Sequence, residues 1–73
     1  MKVYPSLDAL KTALPDGPTT PEELGVNYVI GESVKDTVEL HIWDDLRKEW
    51  RYAMTLEPMP NTDAYQVIAR QNK

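Results

Sequence analysis

Thr37-Val38-Glu39-Leu40-His41-Ile42-Trp43-Asp44-Asp45-Leu46-Arg47-Lys48-Glu49-Trp50-Arg51-Tyr52-Ala53-Met54-Thr55-Leu56-Glu57 reads as two alternating strands joined by a short charged turn. Successive side chains of a strand point to opposite sides, so Val38, Leu40 and Ile42 share one face of the first strand. Trp50, Tyr52, Met54 and Leu56 share one face of the second. This reading places both apolar sets on the core side and sends His41, Trp43 and Arg51 to the other. The hairpin fixes the fold class as one built around an antiparallel sheet.

Upstream, Ser6 is placed to cap a helix, with Asp8 in the first turn where the helix dipole favours an acid. Leu7, Leu10 and Leu14 form one stripe, and Pro15 disfavours helical geometry at the residue before it, so the helix should end near Leu14. Pro15-Asp16-Gly17-Pro18 is turn chemistry. Thr20-Pro21-Glu22-Glu23 is a capping box with proline at the first helical position, which predicts one helical turn ending at Gly25. Val26 to Glu32 is β-branched and aromatic and reads as the first strand. Pro58-Met59-Pro60-Asn61 closes the second strand of the hairpin. In the last segment, Tyr65, Val67 and Ala69 alternate as a strand, while Ala64, Ile68 and Gln71 would also make a helical face. The strand is favoured because it covers an open sheet edge. The expectation is α+β: a short N-terminal helix and a helical turn packed on a four-stranded antiparallel β-meander.

Seventy-three residues make one domain, 1–73, with a small core. There are no cysteines, which excludes a disulfide framework, a zinc knuckle and an iron–sulfur cluster and favours a reducing compartment. The N-terminus lacks the apolar run of a signal peptide, and no stretch approaches the length of a membrane span. A cytoplasmic monomer without cofactor is expected. The formal charge of −4 argues against non-specific binding to nucleic-acid phosphates. Its distribution is uneven: residues 1–46 hold nine acids against three bases, and residues 47–73 hold five bases against three acids. Such a chain can present an acidic surface to a basic partner and a smaller basic patch to something acidic.

Catalysis is the least expected function. A single histidine excludes paired-histidine metal sites. Asp44-Asp45 lacks the spacing of a calcium loop and reads as a charged turn. Neither Ser6 nor Ser33 lies in a nucleophile elbow, and no glycine-rich loop precedes a helix. What remains is a candidate binding surface of His41, Trp43, Arg47, Lys48 and Arg51. An exposed tryptophan beside an arginine has the composition of an interface hot spot. Trp43 covered by the Pro15–Pro21 segment is the alternative. Aromatics interleaved with Arg47, Lys48 and Arg51 also allow a single-stranded nucleic-acid-binding module, with Trp50 and Tyr52 in the core.

The length, the acidic balance, the lack of catalytic residues and a helix leading into a β-meander around Val38 to Leu56 resemble the small transcription regulators of Xanthomonas bacteriophages. The resemblance implies a phage-encoded protein that binds the host bacterial RNA polymerase near its RNA exit channel. It would inhibit sigma-dependent initiation and promote antitermination in the host cytoplasm, with an auxiliary RNA contact possible. It carries over no functional residue, so the five candidates rest on the face argument alone.

Overall fold

The computed structural model describes residues 1–33 and 35–71, and these form β1 (Lys2–Tyr4), α1 (Leu7–Ala13), α2 (Pro21–Leu24), β2 (Tyr28–Ile30), β3 (Val38–Asp44), β4 (Glu49–Pro58) and β5 (Tyr65–Arg70). The local signals in the first third of the chain act as expected. Ser6 Oγ accepts from the Ala9 N–H, and α1 stops at Leu14, whose N–H still reaches the Leu10 carbonyl. The capping box of α2 is complete: Thr20 Oγ1 accepts from the Glu23 N–H, and Glu23 Oε1 accepts from the Thr20 N–H. Those bonds hold the Glu23 carboxyl below its ordinary value, with the Thr20 N–H contributing most and the Thr19 N–H next.

The chain is α+β, but the sheet is a five-stranded mixed sheet in the order β1-β2-β3-β4-β5 rather than a four-stranded antiparallel meander. The additional strand is β1, which lies parallel to β2 with Lys2, Val3 and Tyr4 opposite Tyr28, Val29 and Ile30. Parallel neighbours need a crossover, and α1 and α2 supply it. The other three pairings are antiparallel, and residues 65–70 form a strand on the edge of β4. β2 is shorter than the expected span from Val26 to Glu32.

The aromatic part of the core lies between α1 and one face of the sheet, while Val29 and Val38 are buried on the other face. Leu10, Tyr28 and Trp50 are buried together, with Tyr4, Leu7, Leu14, Val26, Ile30 and Trp43 packed around them. Each fully buried side chain of this kind contributes about 1.5–3 kcal/mol relative to exposure. Two hydrogen bonds tie the layers: Trp50 Nε1 donates to the Leu14 carbonyl at 3.0 Å, and the Tyr28 hydroxyl donates to the Glu23 carbonyl at 2.8 Å. Burial pushes the Tyr28 phenol up, with the Glu23 carboxylate adding to it, so it stays a donor.

The hairpin departs from simple alternation. Val38, Leu40 and their partners Leu56 and Met54 share one face, but between Leu40 and His41 the register shifts and Ala53 has no partner on β3. Below this bulge His41 faces Tyr52, Ile42 faces Arg51 and Trp43 faces Trp50. One extra residue reverses the phase of β4. Trp50 and Tyr52 therefore lie on the helix side, while Met54 and Leu56 lie on the other.

Candidate functional site

The bulge overturns the expected surface. His41 and Trp43 do not face away from the core: they share the helix side of the sheet with Trp50 and Tyr52. Trp43 meets Trp50 edge-on at 5.5 Å between ring centres, and the buried Gly17 lies against its indole. The covering of Trp43 by the Pro15–Pro21 segment is thus the arrangement adopted. Gly17 has φ +77, and a Cβ there would overlap the ring, so glycine is required on both counts.

His41 is 6 % exposed. Its Nε2 lies 3.3 Å from Glu39 Oε1, its ring packs edge-on against Tyr52, and its Nδ1 has no hydrogen-bond partner among the described residues. Tyr52 in turn shares a hydrogen bond with Thr55 Oγ1. A buried imidazole in this setting offers no exposed anchor.

Arg47 and Lys48 lie exposed on the β3–β4 turn, and Arg51 is half-buried on the opposite face from Trp43. The acids of the turn organise all three. Asp44 Oδ1 accepts from the backbone N–H groups of Leu46 and Arg47 at 3.0 and 3.1 Å, which closes the turn and lets Lys48 take a left-handed φ of 57°. Asp44 Oδ2 pairs with Arg51 at 3.3 Å and lies 3.9 Å from Arg47 Nε, and Lys48 Nζ reaches Asp45 at 2.9 Å. The Arg47 N–H does most to hold the Asp44 carboxyl below its ordinary value, and the Arg51 guanidinium and the Leu46 N–H add to it against partial burial. The five candidates are therefore not one surface. Two face inward, two sit on a turn beside their own acids, and one lies across the sheet.

Of the hairpin residues assigned to the core by alternation, Val38 is buried, Leu40, Met54 and Leu56 are half-buried and Ile42 is exposed, all on the face away from α1. Val3, Val29, Val38, Leu40, Ile42, Met54, Leu56 and Val67 share the face away from α1, and both helices lie on the other side. Val29 and Val38 are fully buried there, Val38 against the Gly31 backbone, where a Cβ would come within 2.8 Å of Val38 Cγ1. Ile42 is 52 % exposed. At its edge, β3 outruns β2: Tyr28 pairs with His41, and Ile42 to Asp44 continue with no strand beside them on that side. A groove of about 350 Å³ runs along this free edge, lined by Pro18, Leu24, Val26, Ile42, Trp43 and Asp45 among others. The turn length was the sequence signal that would have revealed this face, since a four-residue loop between Asp44 and Glu49 sets Trp43 opposite Trp50.

Among the described residues no group of three or more His, Asp or Glu side chains is placed to hold a metal ion, and no helix is long and apolar enough to cross a membrane. No protein-family model matches the chain, and no curated protein or solved structure matches it either.

Proposed function

We propose that this chain is a protein-binding regulator with no catalytic step of its own, acting by occupying a surface of a larger assembly. The observation that carries the reading is the apolar sheet face around Leu40, Ile42, Met54, Leu56 and Val67, which neither helix covers. A partially exposed apolar sheet face is an unusual expense for a small domain and is the property of a docking surface. On the resemblance in size and layout, the partner is a bacterial RNA polymerase, and the effect is inhibition of initiation with antitermination. The acidic residues 1–46 suit a basic region of such a partner.

The alternative of a single-stranded nucleic-acid module draws no support from the geometry, because Trp43 and Arg51 lie on opposite faces and the turn bases sit beside carboxylates. The test is binding of the tagged chain to purified bacterial RNA polymerases, core and holoenzyme, that of Xanthomonas included. Sigma-dependent initiation and terminator readthrough are scored in parallel. Absence of binding at about 10 μM, a range in which specific regulators are saturated, would remove the polymerase as partner.

A further inference from the structure

A cavity of about 410 Å³ opens at the end of the sheet away from the β3–β4 turn, lined by Lys35, Pro58, Thr62, Asp63, Ala64 and Tyr65. Sites for small ligands are typically about 300–1,000 Å³. Two turns make its walls, and internal bonds fix both. Between β2 and β3, Ser33 Oγ accepts from the Lys35 N–H at 3.0 Å, and the Ser33 carbonyl accepts from the Asp36 N–H at 3.2 Å. Between β4 and β5, the Met59 carbonyl accepts from the Thr62 N–H and hydroxyl, both at 3.4 Å, and Thr62 Oγ1 accepts from the Ala64 N–H at 3.2 Å. Asn61 completes this turn with a left-handed φ of 62°. Pro58 and Tyr65, paired across the two strands, give the cavity an apolar wall next to the Leu56–Val67 pair.

The charges here differ from those of the β3–β4 turn, where Asp44, Asp45, Arg47, Lys48 and Arg51 satisfy one another. Lys35 and Asp63 are exposed and line the same cavity from different turns, and among the described residues neither side chain has an ion pair or a hydrogen bond, with each other or with any third group. A free cation and a free anion beside an apolar wall match a ligand that carries both signs and an apolar group. We infer that this cavity binds a free α-amino acid with an apolar side chain, its carboxylate beside Lys35, its ammonium beside Asp63 and its side chain against Pro58 and Tyr65. A ligand of one sign would leave one of the two groups unmatched. The site goes beyond the proposed regulator reading and stands or falls independently of it. Both charged contacts are solvent-exposed, so the expected dissociation constant is about 0.1–1 mM.

The probe is L-phenylalanine, titrated into the isotope-labelled full chain and followed by amide chemical shifts. Saturable shifts in that range are expected at Lys35 and at Thr62 to Tyr65. Phenethylamine, which lacks the carboxylate, and phenylpropionate, which lacks the ammonium, should each bind at least about threefold more weakly at equal ionic strength. Lys35→Gln and Asp63→Asn, both at exposed positions, should each weaken phenylalanine by a similar factor with unchanged circular dichroism, while Asp63→Asn should leave phenylpropionate bound as in the parent protein. No saturable shift up to about 10 mM, binding of either one-charge analogue as tight as that of phenylalanine, or parent-like binding by both variants would overturn the assignment.

Discussion

Replacing Gly17 by alanine isolates the contact that took Trp43 off the surface. Two costs combine at this position. An L-residue in the left-handed region loses about 1–2 kcal/mol, since φ at Gly17 is +77°. The added methyl also overlaps the Trp43 indole, which packs on Trp50, and overpacking of this kind typically costs about 1–3 kcal/mol. The sum is about 2–5 kcal/mol, a large share of the few kcal/mol that hold a chain of this size. Urea unfolding followed by tryptophan fluorescence reads the loss as a lower midpoint, and the emission should shift as the strap lifts from Trp43. Gly25→Ala is the internal control: φ there is −86°, the nearest atoms to a new Cβ are at 3.7 and 3.9 Å, and its effect should stay within about 0.5 kcal/mol. Gly17→Asn separates the two terms, because asparagine tolerates the left-handed backbone while keeping the steric overlap. A Gly17→Ala protein as stable as Gly25→Ala, or full recovery by asparagine, would refute the packing of Trp43 beneath this segment.

Trp50→Phe removes the indole donor from the Leu14 carbonyl, which keeps its bond from the Gly17 N–H at 3.2 Å, and should cost about 0.5–1.5 kcal/mol in denaturant unfolding for the lost bond; a neutral result would refute a stabilising role for the indole N–H. Leu10→Ala should cost about 2–5 kcal/mol, whereas Ile42→Ala at a half-exposed position should cost under about 1 kcal/mol, and parity between them would restore Ile42 to the core. The Asp44 carboxyl titrates lower in the folded chain than in the unfolded one, so its stabilising contribution is present above the ordinary carboxylate value of about 3.9 and is lost as pH falls through the lowered folded value. Asp44→Asn should therefore lower the unfolding midpoint at neutral pH and flatten its fall below about pH 4; identical pH profiles for the two proteins would refute the assignment.

Signals confined to a few neighbouring residues were legible. Ser6, Pro15, the Thr20–Glu23 box and Pro58 act through bonds and clashes within four or five positions, so the limits of α1, α2 and β4 follow from them. β1 was not legible, because three residues between Met1 and Pro5 show no period and become a strand only by pairing with β2. The candidate surface failed for a related reason. Alternation was read through Ala53 as though unbroken, and one unpaired residue was enough to put Trp50 and Leu56, read as sharing a face, on opposite faces. Leu24 and Ile42, which flank the groove, carry no distinguishing pattern in the chain.

By itself the sequence determined that this is a small α+β domain with a hairpin at residues 37–57, a capped helix before it and a charged turn at Asp44-Asp45. Tertiary structure alone decided which side chains of that hairpin are inside. A strand specifies a period of two but not its phase relative to a neighbour, and here the phase depends on the turn, the bulge at Ala53 and the fit of Trp43 between Gly17 and Trp50.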